Sequence, residues 1–417
     1  MSPSAIEFEP ISRMEAEAEV LLNAAGPEVA LHRMAEPVKP IPLVHTAQGV
    51  EEESYAVQPL PQSHPSPATR SEEWLQLNHV MASVNKPTTG ATKLRKMIFD
   101  TKELIVCPGV YDGLSARTAI DIGFNAMYMT GAGTTASRLG QPDLAIAQLH
   151  DMRENAEMIA NLDPFGPPLI ADMDTGYGGP IMVARTVEQY IRAGVAGAHL
   201  EDQVLTKRCG HLSGKKVVPR EEYISRIRAA HAARVRMQSD FVLIARTDAL
   251  QQLGYDECIA RLREARDEGA DVGLLEGFET HEQAQRAVQD LAPWPLLLNS
   301  VENGKSPTIT VDEARAMGFR IMIFSFATLA PAYLAIKETL LRLKTQGIVG
   351  TPKNVTPVTL FEVCGLKHSM AVDINAGGAS FKGGVPLLLN VRIGLRYLVV
   401  RAYFYFCEES RRRNSPA

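Results

Sequence analysis

The sequence predicts a (β/α)8 barrel, an α/β fold of the TIM type. Short β-branched runs alternate with helical segments from Thr92 onward, and the runs number eight: 103–106, 126–129, 168–172, 197–201, 241–246, 271–276, 295–299 and 320–324. A helix candidate follows each run, which is the count and order of a closed parallel barrel. An open doubly wound sheet would need no eighth run and usually shows a glycine-rich phosphate turn after the first strand; none follows Val106.

Three parts are expected. Residues 1–88 mix a short Glu/Ala/Leu segment with Pro-, acid- and Ser-rich stretches such as PLPQSHPSPATRSEE, a composition that buries too little apolar surface to order itself. They read as a mostly disordered extension with one short helix over 14–25. Residues 89–385 hold the barrel and its C-terminal helices. The helix after the third run shows how a unit closes: Pro180 suits a first turn, Val183, Val187, Tyr190 and Ile191 form one apolar stripe, and Gly194 stops it. After the fifth run, Ile259, Leu262 and Ala265 line one face before Gly269. Helices are expected over about 331–346 and 358–366 beyond the eighth run. The tail, 386–417, is a surface helix or a strand by pattern, because Arg392, Arg396 and Arg401 interrupt its apolar stretch too often for a membrane span.

Composition narrows the class of function. The 417 residues are 45% hydrophobic and 22% charged, as in globular proteins with a large core, and the net charge of −5 is spread without a basic patch, which excludes a nucleic-acid partner. Cys107, Cys209, Cys258, Cys364 and Cys407 are odd in number and widely spaced, so neither a disulfide framework nor zinc is indicated and a reducing compartment is expected. The acidic start reads as neither a secretory nor a mitochondrial leader, and the expected location is cytoplasmic.

Polar residues collect where the strands should end, which in such a barrel is where chemistry occurs. Tyr128-Met129-Thr130-Gly131-Ala132, Asp172-Met173-Asp174, Glu201-Asp202, Arg246-Thr247-Asp248, Glu276 and Asn299 all fall there. Period-two alternation puts Asp172 and Asp174 on one side of their strand. With Glu201 on the next strand, and no histidine or cysteine beside them, they suit Mg²⁺ or Mn²⁺ that keeps several waters. The plain alternative is a pair of acids capping helices. Arg246 can clamp a substrate carboxylate with its planar fork, or be tied to Glu276 or Asp248. Thr130 and Gly131 offer a hydroxyl and an open N–H, or only a tight turn. In the loop after the fourth run, Cys209 stands between Arg208 and His211, where positive charge would favour the thiolate, and Gly210 lets the loop bend. An ordinary basic turn is the alternative there, with His211 as a loop cap and Tyr128 as core.

The motifs PGVYDGLSA, YMTGAG, ADMDTGYGG, EDQ, KRCGH, IARTDA and LEGF, in this order, resemble the isocitrate lyase and phosphoenolpyruvate mutase superfamily over about residues 90–385. The resemblance implies a Mg²⁺-dependent barrel whose C-terminal helices are exchanged between the subunits of a homodimer or homotetramer, acting on a small carboxylate. It places the metal shell on Asp172, Asp174 and Glu201, catalytic groups on Cys209, His211, Arg246 and Glu276, and substrate contacts on Tyr128, Thr130, Gly131, Ala132, Gly210 and Asn299. Phosphonomutases of the superfamily lack the KRCGH loop. That loop with MYMTGAGTTASRLG is most similar to the fungal oxaloacetate hydrolases; 2-methylisocitrate and 2,3-dimethylmalate lyases, which release pyruvate, are the alternative. The hydrolases are distinguished by a serine near the end of strand seven, where this chain has Ser300 after Asn299 and then Val301. Alternation puts Val301 on the face of Asn299, so both positions stay open.

The implied chemistry breaks a C–C bond next to a carboxylate. Cys209 would protonate the departing carbanion, and the loop over 205–215 would close to keep water away from it.

Overall fold

All eight runs are strands in the computed structural model of the protein, which describes residues 88–378 and 380. They are β1 (Ile105–Val110), β2 (Met127–Met129), β3 (Leu169–Asp172), β4 (Gly197–Glu201), β5 (Val242–Thr247), β6 (Val272–Leu275), β7 (Leu297–Asn299) and β8 (Ile321–Phe324). Each pairs in parallel with its sequence neighbour from β1 to β6, while β8 lies between β1 and β7. Gly273 in β6 bridges Leu296, just before β7, and its N–H donates to Pro295 O at 3.0 Å, which closes the ring.

The helices are α1 (Gly90–Phe99), α2 (Gly113–Ile122), α3 (Gly131–Leu139), α4 (Leu149–Ala160), α5 (Pro180–Arg192), α6 (Arg220–Arg236), α7 (Leu250–Leu253), α8 (Tyr255–Asp267), α9 (His281–Leu291), α10 (Val311–Met317), α11 (Leu329–Gln346), α12 (Pro357–Val363) and α13 (Leu366–Asn375). Two helices, not one, follow β2 and β5. In α5, Pro180 opens the first turn and Val183, Val187 and Tyr190 are buried, as the apolar stripe predicts; the Tyr190 hydroxyl donates to Asp172 O at 2.9 Å and pins the end of β3. Among the described residues no helix is long and apolar enough to cross a membrane.

Two cores follow from the strand period. The barrel interior is filled by Ile105, Cys107, Tyr128, Ile170, Val242, Ile244, Val272, Leu274, Leu297, Ile321 and Ile323, with Leu94 and Ile98 of α1 joining it. Alternate residues, such as Leu169, Ala171, Leu243 and Ala245, face the helices. Fully burying each large aliphatic side chain contributes about 1.5–3 kcal/mol. The same alternation carries the interior parity up to the C-terminal rim, to Asp172, Glu201, Arg246, Glu276 and Asn299. Apolar packing below thus fixes the direction of the polar layer above.

Two expectations on element bounds need correction. The first strand is not confined to 103–106 but runs on through Pro108 and Gly109. Gly109 belongs there because a Cβ would meet Phe324 O at 2.4 Å, so the turn-like Pro-Gly pair marks a close strand approach and not a loop. The helix expected over 358–366 ends at Val363, because Gly365 takes φ 90° and starts a separate helix, α13, which was not expected. The 14–25 helix and the 386–417 tail lie outside the described residues.

Candidate active site

The C-terminal rim is a charged layer on an apolar floor. Arg246 Nε donates to Asp248 Oδ2 at 2.7 Å and lies 3.3 Å from Glu201 Oε2; its Nη2 lies 3.2 Å from Asp248 Oδ1 and 3.7 Å from Glu276 Oε2. Asn299 Nδ2 donates to both Glu276 oxygens at 3.1 and 3.2 Å, and its Oδ1 accepts from the Ser325 hydroxyl at 2.7 Å. Arg246, Glu276 and Asn299 are therefore brought together, and Arg246 is tied chiefly to Asp248 in this state.

Ser325 is a residue that sequence reasoning missed. It follows β8 with the inward parity of Ile321 and Ile323, so extending that run by one residue would have found it. Ser300, by contrast, has the opposite parity to Asn299. Its N–H donates to Ile323 O at 2.8 Å, and its side chain makes no hydrogen bond among the described residues. Val301 is buried.

Asp172 and Asp174 meet for a different reason than strand alternation. β3 ends at Asp172, and Asp174 turns back in the left-handed region at φ 47°, its N–H donating to Asp172 Oδ1 at 2.9 Å. The expectation that no histidine lies beside the acids is also corrected. His199, on β4, is buried with Nδ1 3.6 Å from Asp172 Oδ1 and Nε2 2.9 Å from the Tyr128 hydroxyl, so Tyr128 sits beneath the acids and joins them through an imidazole. It escaped notice because a lone histidine inside a strand run carries no motif. Thr130 caps α3, accepting from Gly133 N at 3.3 Å, and places Gly131 and Ala132 in the first helical turn, where N–H groups favour an anion. A Cβ on Gly131 would stand 2.4 Å from Asp172 Oδ2. Only glycine lets the helix start so close to the carboxylate.

The loop over 203–217 is a folded-down hairpin. Gln203 bridges Val217, Val204 N donates to Lys216 O at 3.0 Å, and Gln203 Nε2 links Glu201 Oε1 and Arg208 O at 2.9 and 2.8 Å. Lys207, a residue that carries no role in the sequence reading, is buried between Asp143 Oδ1 at 2.5 Å and Asp174 Oδ1 at 2.6 Å. Gly210 rests on the rim, since a Cβ there would meet Arg246 Nη2 at 2.5 Å and Glu276 Cγ at 2.8 Å. His211 Nε2 faces Glu276 Oε1 at 3.3 Å and Nδ1 accepts from Lys305 N at 3.1 Å, which leaves the ring proton on Nε2; burial holds this imidazole neutral by lowering its pKa.

Cys209 is half-buried, its N–H donating to Asp143 O at 3.0 Å. Positive charge does not make it a thiolate, contrary to the expectation from its neighbours. Burial, with the Asp143 carboxylate adding to it, pushes the thiol up to about 11. The physical reason is direction: Arg208 is exposed and turns to Ser213 O at 3.1 Å, away from the sulfur's surroundings. At neutral pH the group is a thiol, suited to giving a proton.

The acids fit a hard divalent cation. Their donors are all oxygen, burial pushes Asp174 up to about 7 against the pull of Lys207 and raises Glu201 well above the carboxylate range, and Glu201 Oε2 is buried without a hydrogen bond. Positive charge would relieve both. Among the described residues no three His, Cys, Asp or Glu side chains converge as a ready cage, so Asp172, Asp174 and Glu201 do not form a closed three-acid shell as they stand, contrary to the expectation from the sequence, and waters would have to complete it.

A family model described as phosphoenolpyruvate phosphomutase matches residues 94–344, more than half of the chain. The chain belongs to this superfamily of phosphoenolpyruvate mutases and isocitrate lyases, and it is an enzyme. A solved oxaloacetate acetylhydrolase in complex with the inhibitor 3,3-difluorooxalacetate is similar at 78% identity and TM-score 0.71, over 71% of this chain and 100% of that one. A solved 2,3-dimethylmalate lyase, a member of the same superfamily, is similar at 61% identity and TM-score 0.70, over 72% of this chain and 99% of the other. A phosphonopyruvate hydrolase in complex with oxalate and Mg²⁺ is similar at 28% identity and TM-score 0.60, over 69% and 99%. A relative within the superfamily thus binds a divalent cation.

Proposed function

We propose that the chain hydrolyses oxaloacetate to oxalate and acetate, acting on the C2 hydrate of the acid. The observation that carries this reading is the hydrogen-bonded line from Ser325 through Asn299 to Glu276. A geminal diol has one more hydroxyl to satisfy than the 2-hydroxy acid of a lyase, and a wall of hydroxyl, amide and carboxylate can satisfy it. The 78% identical acetylhydrolase supports the same substrate.

In this reading Arg246 and the first-turn N–H groups of Gly131 and Ala132 bind the carboxylates, helped by the Thr130 hydroxyl, while Tyr128 supports Asp172 from below through His199. Glu276, with His211 and Asn299 on it, takes the proton of one C2 hydroxyl. The C2–C3 bond then breaks, its electron pair goes to C3, and C2 becomes a carboxyl carbon of oxalate. The Cys209 thiol gives its proton to C3 and yields acetate, and the proton held by Glu276 returns to the Cys209 sulfur, which balances the cycle. Asp172, Asp174 and Glu201 would hold Mg²⁺ or Mn²⁺, which when bound supplies positive charge to the oxygen on C2 and the neighbouring carboxylate. Gly210 brings the loop onto Arg246 so that water is kept from the carbanion.

The second reading, a lyase on dimethylmalate or 2-methylisocitrate that releases pyruvate, is favoured by the 61% identical lyase. A panel of oxaloacetate, 2-methylisocitrate and dimethylmalate with Mg²⁺ decides. Turnover of oxaloacetate to oxalate is expected; pyruvate from dimethylmalate without oxaloacetate turnover would put the lyase in its place.

No residue of α11, α12 or α13 is buried, and Leu334, Leu340, Leu341 and Phe361 are exposed, which supports an arm exchanged with a second copy in a homodimer or homotetramer. The four described cysteines are free, which supports a reducing, cytoplasmic location.

A further inference from the structure

One carboxylate outside the set of catalytic and metal-binding groups holds two of the parts that the proposed reaction needs. Asp248 is fully buried. Its Oδ1 accepts from Lys215 Nζ at 2.8 Å and from Arg246 Nη2 at 3.2 Å, and its Oδ2 accepts from Arg246 Nε at 2.7 Å. Arg246 therefore spends one edge of its planar fork on Asp248. Its Nη1 makes no hydrogen bond among the described residues, and so the other edge is available for an incoming carboxylate. Lys215 belongs to the 203–217 loop, yet it is only 7% exposed, because its stem runs inward to reach that same oxygen. The loop touches the clamp a second time at Gly210, whose backbone lies against Arg246 Nη2.

Asp248 is itself held from below. Asp202 Oδ1 accepts from Asp248 N at 2.8 Å and Asp202 Oδ2 from the Thr247 hydroxyl at 2.6 Å, while Arg261 Nη1 lies 3.2 Å from Oδ2. The end of β5 is thus fixed by an acid just past the end of the neighbouring strand β4, and a side chain locked in this way can orient others without moving.

We propose that Asp248 is a positioning residue that aligns Arg246 as a carboxylate clamp and, through Lys215, latches the 203–217 loop over it. Lid and clamp then share one anchor: the loop lies down only where the guanidinium is already turned to receive substrate. This role rests on the reading of Arg246 as the clamp, but it holds for an acid of either the hydrolase or the lyase type.

The test uses the full-length chain and the variants Lys215→Met, Lys215→Arg, Asp248→Asn and the Lys215→Met/Asp248→Asn pair. Amide hydrogen exchange over 203–217 is followed without substrate, and kcat and KM are measured on the acid that the panel identifies. Lys215→Met should speed exchange of the loop by roughly tenfold or more, lower kcat/KM by about the same factor, and leave the melting temperature of the barrel nearly unchanged. Lys215→Arg should recover most of both losses. The double variant should exchange no faster in the loop than Asp248→Asn alone, since both changes break one contact. Loop exchange in Lys215→Met within twofold of the parent, or additive effects in the pair, would overturn the latch. If Asp248→Asn does not fold, the comparison of Lys215→Met with Lys215→Arg decides by itself. Because exchange is read without substrate, a failed substrate assignment and a failed latch give different results.

Discussion

The Lys207 ammonium lies 2.6 Å from Asp174 Oδ1, so the acid that the sequence assigned to a metal already faces a cation supplied by the loop. Burial nevertheless pushes Asp174 up to about 7. Because burial raises this carboxyl, a proton competes with a divalent ion for it increasingly as pH falls. Chelator should abolish turnover, and Mg²⁺ or Mn²⁺ should restore it. The apparent affinity for Mg²⁺ should weaken by up to about tenfold per pH unit as pH falls below 7. Mg²⁺ titrations of activity between pH 6 and 8 check this; full turnover without metal, or an affinity flat in pH, would contradict the assignment of Asp174.

Gly131 tests the same centre by shape. A Cβ would stand 2.4 Å from Asp172 Oδ2, while the helical position itself tolerates alanine. Gly131→Ala should therefore fold, with a melting temperature within a few degrees of the parent, and require roughly tenfold or more Mg²⁺ for half-maximal rate. An unchanged Mg²⁺ requirement would show that Asp172 can yield without loss.

How much of this was legible in the sequence depends on which interactions are local. The barrel was legible because strand and helix periods are written in nearest neighbours, and the interior parity of Val242 and Ile244 carries directly to Arg246. Asp174 does stand beside Asp172, but strand alternation does not put it there: β3 ends at Asp172 and a left-handed turn aims the second acid. Lys207 and Asp143 stand 64 residues apart and meet only after folding, so no spacing announces them. Ser325 lay one residue beyond a run that was cut at Phe324. The thiol of Cys209 was misjudged because adjacent residues in a loop need not point the same way; Arg208 does not.

The C-terminal arm yields a prediction on assembly. Leu340 and Leu341 of α11 are 57% and 58% exposed, an unusual placement for paired leucines. Leu340→Asp/Leu341→Asp should shift the full-length chain toward monomer in sedimentation velocity, with α11 made less helical. A parent chain that is already monomeric at micromolar concentration would remove the exchanged arm.

Ser325 should separate the two readings of function. Its hydroxyl is the one beside Asn299 Oδ1, and Ser325→Ala would leave that oxygen without its 2.7 Å donor. Oxaloacetate turnover should fall by roughly 10–100-fold, the effect of losing a hydrogen bond made to a reacting hydroxyl's surroundings. Ser300→Ala, at a position of opposite parity, should change it less than twofold. Equal losses in both variants would place substrate contact on the wrong side of β7.

Cys209→Ser tests the proton donor itself. The thiol, pushed up to about 11, stays protonated at neutral pH, so it should be alkylated by iodoacetamide slowly at pH 7–8 and faster toward pH 11, opposite to a cysteine activated by neighbouring charge. Replacing sulfur by oxygen keeps the loop's size but raises the donor's pKa by several units, well away from the carbanion's need at working pH. We expect kcat to fall by roughly 10² or more while Mg²⁺ still binds, because the acids at β3 and β4 are untouched. The measurement compares kcat of parent and variant on the same acid, with a Mg²⁺ titration of each. A near-normal kcat in Cys209→Ser would mean that another group protonates C3. Rapid alkylation at pH 7 would mean instead that the sulfur is a thiolate in solution, and that its role must be sought in attack and not in proton donation.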